Sequence, residues 1–247
     1  MLERAGYVVD YIAGSSMGGW VGAWLALGMS SDEIEQTMRS AFTEDAGRAV
    51  FRAGAAGDPS GTVVMEQLAR QTTGGADFGE LRTPLILLAA DLEGRCPAPM
   101  MTGPVHEAMV AAMTVPGLYP AFRRGQQRLV DAVVLTPVPS DALIAAGADV
   151  TVAINLLGRA TLESWPGEDP SPAAPRRDRD TVVESLELAQ VDASARQAGL
   201  ADVPVTPVFG PGTWRNFQLA DQYIAAGAEA MEAALPELRA LASPPVQ

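Results

Sequence analysis

Gly14-Ser15-Ser16-Met17-Gly18 constrains this chain more than any other stretch, because a Gly-x-Ser-x-Gly run between an apolar strand and an apolar helix is how a serine nucleophile is mounted on a sharp corner. The preceding Tyr7–Ala13 segment, YVVDYIA, is β-branched and aromatic enough to predict a buried strand. Trp20–Leu27, WVGAWLAL, predicts the helix that follows. Ser16 then falls on the turn between them. Small neighbours let the backbone pass a strained corner with the hydroxyl exposed, and the helix N-terminus points free N–H groups at any oxyanion that forms there. An ordinary glycine turn would account for an isolated pentapeptide; the strand before and helix after favour a nucleophile.

Missing residue types narrow the chemistry further. The 247 residues contain no lysine, one histidine (His106) and one cysteine (Cys96). A Ser-Lys dyad, a lysine Schiff base and a Gly-Lys-Ser/Thr phosphate loop are therefore excluded, as are a Cys/His zinc site and an internal disulfide; no metal or cofactor is expected. The formal net charge of −13 opposes nucleic acid as a partner. Neither a signal-peptide pattern nor a membrane-length apolar run appears, so the expected location is cytoplasmic. Any membrane contact would be peripheral, through an apolar surface or a local basic cluster such as Arg176-Arg177-Asp178-Arg179, although acids interrupt that cluster and a solvated loop suits it better.

Strand and helix signals alternate along the chain, predicting one α/β domain with a mainly parallel central sheet flanked by helices. Ser30 and Glu33 form a capping box for a helix bearing Ile34, Met38, Ala41 and Phe42 on one face. Glu44–Gly61 reads as a mobile connection, Val63–Gln71 as a short helix and Gly74-Gly75 as a turn. Thr83–Asp91, TPLILLAAD, is a continuous apolar run closed by an acid, the pattern of a mid-sheet strand covered on both faces. A helix over Val105–Met113 and a short hairpin lead to Arg128–Val133. Then come a helix over Ser140–Ala146, a strand over Asp149–Leu156, an exposed flexible loop spanning 160–180, and helices over Thr181–Gln197 and Gln218–Leu241.

A serine hydroxyl needs a base. One candidate set is Ser16, Asp91 and His106 in α/β-hydrolase order, but His106 lies only fifteen positions after Asp91, in the first turn of a helix with half the chain behind it, where a structural role suits it better. The other base is Asp131, which ends the Leu129-Val130 strand and could equally be a turn-capping acid.

The ordered series LERAGYVVDYIAGSSMGGWVGAWLA, TPLILLAADLEG, GPVHEAMVAAMTVPGLYPAF, LVDAVVLTPVPSDALIAAGADVTVAINL and LADQYIAAGAEAMEAALPEL resembles the patatin-like phospholipase family over most of the chain. The resemblance implies a patatin-like fold and a Ser-Asp dyad that hydrolyses acyl esters of lipids through an acyl-enzyme, with Ser16 as nucleophile, Asp131 as base, and Gly14, Met17 and Gly18 forming the elbow and its oxyanion donor. Burial among Leu129, Val130 and Val133 would raise the Asp131 pKa from its ordinary value of about 3.9 toward neutrality. Two departures from the family pattern stand out. The family's glycine-rich oxyanion loop lies upstream of Met1, so residues 1–247 are expected to be a patatin-like domain incomplete at its N-terminus. Asp-Gly-Gly or Asp-Gly-Ala is replaced by Asp131-Ala132-Val133, where a Cβ in a left-handed conformation would cost about 1–2 kcal/mol. The expected function is lipid or other ester hydrolysis; the alternatives are a weak or inactive lipid- or partner-binding relative, or a Ser16-Asp91-His106 esterase.

Overall fold

In a computed structural model, residues 1–43, 60–116, 118–158, 178–209 and 217–242 are described; the expected connection at Glu44–Gly61 and the expected loop at 160–180 lie almost wholly outside them. Two compact units emerge, one from Val9–Ala148 and one from Met1–Val8 with Asp149–Gln247.

The Val9–Ala148 unit contains β1 (Ile12–Ser15), α1 (Ser16–Ala26), α2 (Ser31–Ala41), α3 (Ser60–Thr73), β2 (Leu85–Asp91), β3 (Cys96–Met100), α4 (Val105–Ala112), β4 (Phe122–Arg124), β5 (Gln127–Asp131) and α5 (Ser140–Ala145). Every residue of β2 is buried, as its unbroken apolar run predicts, and it is the strand around which the sheet forms. β3 lies along one edge of β2, pairing Leu87 with Met100 through Asp91 with Cys96. The other edge is shared: β1 pairs in parallel as far as Ser15 with Leu88, and β5 pairs antiparallel from Ala89 with Asp131 onward.

The α/β class expected from the sequence holds, with helices flanking a central sheet, but the sheet is mixed. β1 and β2 are parallel, whereas β3 returns from β2 through a tight hairpin and β4 with β5 forms another. β3 escapes a sequence reading because Pro97 and Pro99 argue against a strand; each lacks an N–H, and both are accommodated because β3 pairs on one side only.

Helix α1 carries no charge along its length and buries Trp20 and Trp24 completely. Their rings meet edge to face at 6.0 Å, Phe42 closes on Trp20 at 5.7 Å, and the Trp20 indole N–H donates to the Met109 carbonyl at 2.9 Å, tying α1 to α4. Edge-to-face rings add about 0.5–1.5 kcal/mol to the area they bury. The Ser30/Glu33 capping box forms as expected, with the Glu33 carboxylate accepting from Ser30 N–H at 2.8 Å and Ser30 Oγ accepting from Glu33 N–H at 3.3 Å.

The first strand is shorter than Tyr7–Ala13 predicts, since β1 begins at Ile12, and the helix starts at Ser16 rather than Trp20. Tyr7 belongs to the other unit, where its hydroxyl donates to the Ala242 carbonyl at 2.9 Å. That unit pairs β6 (Val152–Ile154) in parallel with β7 (Val203–Val205), beside α6 (Asp178–Ala198) and α7 (Ala220–Leu241). Val203, Val205, Met231, Leu235 and Leu238 form its core. The strand predicted over Asp149–Leu156 shrinks to three residues because its only described partner, β7, is itself three residues long.

Candidate active site

Ser15 ends β1 in an extended conformation, φ −122° and ψ 145°, and Ser16 turns at once into α1 with φ +51°. A left-handed serine costs about 1–2 kcal/mol and persists only where the surroundings impose it. The imposing contact is visible. A Cβ on Gly14 would meet Gly19 Cα at 2.6 Å, Gly19 N at 2.7 Å and Gly18 O at 2.8 Å, so the strand and the first helical turn touch backbone to backbone. Gly19, outside the pentapeptide, is the second half of this contact and was not singled out in the sequence. Gly18 is exposed, and a Cβ there would meet nothing within 4 Å. Ser16 and Met17 are half-buried at the mouth of the corner.

The register explains how Asp131 reaches Ser16. Leu88 and Ala89 are consecutive on β2, and the first pairs with Ser15 while the second pairs with Asp131. β1 running one way and β5 running the other thus meet end to end along a single edge of β2. Thr114, just beyond α4, fixes the junction: its carbonyl accepts the Asp131 N–H at 2.9 Å and its hydroxyl donates to Val110 O at 2.8 Å.

Asp131 is completely buried. Oδ1 accepts the Val133 N–H at 2.9 Å and caps the short 3-10 turn Ala132–Val134, so the turn-capping role weighed for this residue is present. Oδ2 has no partner at hydrogen-bonding distance. Burial pushes the Asp131 carboxyl up to about 6, opposed by the Ser16 hydroxyl and the Val133 N–H. The Ser16 hydroxyl is thus close enough to the carboxylate to lower its pKa, while Oδ2 itself is left without a hydrogen-bond partner.

Ala132 overturns one expectation. Among the described non-glycine residues only Ser16 and Arg95 have positive φ, so Ala132 is not left-handed and its Cβ carries no such strain. It is buried against Ile86 and Leu88 instead.

The structure does not join Asp91 to His106 by any hydrogen bond among the described residues. The Asp91 carboxylate accepts from Glu93 N–H at 3.1 Å, Arg128 N–H at 3.3 Å and Gln127 Nε2 at 3.4 Å, which commits it to tying the β2–β3 turn to the start of β5. His106 is buried in the first turn of α4 with Nδ1 unpartnered. The described residues contain no cluster of three His, Cys, Asp or Glu that could hold a metal ion, and no described helix is long and apolar enough to cross a membrane.

Residues 1–144 match the patatin-like phospholipase family, and the chain belongs to it. It is also similar to uncharacterised NTE family proteins of Mycobacterium bovis and of two Mycobacterium tuberculosis strains. Each is 29% identical over 176 residues, a stretch covering 69% of this chain and 46% of the relative. The chain thus spans about half the length of the curated relatives it matches.

Proposed function

We propose that this chain hydrolyses carboxylic esters of lipids through an acyl-enzyme, with Ser16 as nucleophile and Asp131 as the only base. The observation that carries the reading is a serine held at φ +51° beside the unsatisfied Oδ2 of a buried carboxylate. Family membership supports lipid hydrolysis as the class of reaction.

In the first half-reaction Ser16 Oγ attacks the ester carbonyl carbon while its proton passes to Asp131 Oδ2. The carbonyl oxygen takes up negative charge at the first turn of α1, where the Met17 N–H is free of any intrahelical partner and can donate to it. Collapse expels the alcohol, which takes the proton from Asp131, and leaves Ser16 acylated. Water then attacks the acyl carbon with Asp131 again accepting the proton; collapse expels Ser16 Oγ, which takes that proton from Asp131, and the acid departs. A carboxyl at about 6 is better matched to neutral pH than an ordinary aspartate, yet is still ionised there. Activity rests on no histidine, which suits a chain that has one and keeps it on α4.

The test is labelling with a fluorophosphonate probe together with hydrolysis of a short p-nitrophenyl ester. Wild type is expected to label on Ser16. Ser16→Ala should neither label nor turn over, and Asp131→Asn should lose on the order of 10²–10⁴ in rate. Wild-type turnover in Ser16→Ala would overturn the assignment.

A further inference from the structure

β4 and β5 set two arginines against each other: Arg123 faces Arg128 directly across the antiparallel pair. Like charges opposed on one sheet face are destabilising, and a chain with thirteen net negative charges does not lack carboxylates that could stand there instead. Between Glu107 and Asp131 the sequence holds Arg123, Arg124 and Arg128 and no acid.

The row extends beyond this pair. Asp91 pairs with Cys96 on one side and Leu129 on the other, so one residue further Leu92 stands between Arg95 and Arg128, and its N–H donates to the Arg128 carbonyl at 2.9 Å. Read across the end of the sheet, the row is Arg95, Leu92, Arg128, Arg123. Leu92 is 45% exposed. Arg95 and Arg123 are exposed and have no ion-pair partner among the described residues; Arg128 meets Glu93 at 3.0 Å, and Arg124 in the next row donates to the Thr102 carbonyl. Arg95 is held at φ +54°, where a glycine would be unstrained. With about 4.8 Å between strands, the three arginine stems span about 15 Å, wider than a single phosphate. The row lies three residues along β2 from Ala89, about 10 Å, at the strand end toward which β1 delivers Ser16.

We propose that this row is a docking surface for an anionic phospholipid bilayer. Arg95, Arg123 and Arg128 meet lipid phosphates while Leu92 enters the interface, and Ser16 is thereby brought to ester groups in the same surface. Only that last step rests on the hydrolase reading. The acidity of the rest of the chain does not forbid docking, because at physiological salt charges are screened beyond about 8 Å and the residues in contact decide.

Sedimentation of the full chain with vesicles of phosphatidylcholine alone, or containing phosphatidylglycerol, tests it. Wild type is expected to bind only the anionic vesicles. Arg95→Gln and Arg123→Gln should each weaken binding about fivefold and together about twenty-five-fold, from roughly 1 kcal/mol per arginine. Hydrolysis of a soluble short ester should be unchanged in both. The melting temperature of Arg123→Gln should be unchanged or higher, since the substitution removes a like-charge opposition. Equal binding to both vesicle types, or a double variant that binds as wild type, would overturn the proposal. So would displacement by millimolar inorganic phosphate at constant ionic strength, which marks a discrete phosphate site. Ser16→Ala separates the two readings: it should dock normally. Vesicle binding without any ester hydrolysis in wild type would sink the hydrolase and leave the docking surface standing.

Discussion

Gly14 and Gly19 approach so closely that a Cβ on the first would lie 2.6 Å from the Cα of the second, inside any distance real Cβ atoms tolerate. The corner at Ser16 depends on this contact, because it forces the chain from β1 into α1 within one residue and leaves Ser16 at φ +51°. The two glycines of the pentapeptide are therefore unequal. Gly14→Ala should abolish fluorophosphonate labelling, since backbone cannot move aside as a side chain can. Gly18→Ala should label within about twofold of wild type, its Cβ pointing into open space. Comparable labelling of the two variants would show that the elbow is not held by backbone contact.

Asp131 should make the protein less stable at neutral pH than it would be with a neutral residue. Its folded pKa of about 6 lies above the unfolded value of 3.8, so the folded state binds more protons between those limits, and stability falls as pH rises from about 4 to about 6. Below that window both states are protonated and the penalty is absent. Asp131→Asn keeps an oxygen for the Val133 N–H and removes the buried charge, so its melting temperature at pH 7.5 should exceed that of wild type by several degrees, the difference vanishing near pH 4. The rate should move oppositely: wild-type kcat/KM should fall about tenfold per pH unit below about 6 as the base is protonated. A variant less stable than wild type at pH 7.5 would contradict the burial argument.

Much of this was legible in the residues, for reasons that differ by element. The elbow showed itself because a strand pattern, five small or flexible residues and a helix pattern occur in immediate succession, and β2 because seven consecutive buried positions leave no polar alternation. The Ser30 capping box is a purely local motif, and local motifs survive folding. What stayed hidden depends on pairing. Nothing in the sequence says that Ser15 and Asp131 share adjacent partners on β2, that Gly19, outside the pentapeptide, packs against Gly14, or that two prolines sit on an edge strand. Tyr7 illustrates the opposite error: β-branched and aromatic propensity predicted a strand, but a tyrosine that finds packing and a hydroxyl partner elsewhere needs none.

Ala132 bears on whether a departure from the family's Asp-Gly pattern weakens the site. Its backbone is not left-handed, and its methyl group is fully buried against Ile86 and Leu88. Ala132→Gly should therefore give no gain in esterase rate. It should lower stability by about 1 kcal/mol, from a lost buried methyl and a more flexible unfolded chain. A several-fold faster Ala132→Gly enzyme would show that alanine strains the turn after the base.

His106 provides the sharpest separation between a dyad and a triad. In a triad the imidazole would take the proton of Ser16 and be oriented by Asp91, yet Asp91 already accepts three hydrogen bonds from the β2–β3 turn and the start of β5, and none comes from His106. The imidazole is buried on α4, whose far end holds the Asp131 backbone through Thr114. His106→Gln should leave probe labelling within about twofold of wild type and the pH midpoint near 6, because in the proposed dyad the titrating base is Asp131. Asp91→Asn should loosen the hairpin and lower the melting temperature while leaving the same midpoint. A hundredfold loss of rate in His106→Gln, with Asp131→Asn still active, would transfer the base from β5 to α4 and remove Asp131 from the mechanism.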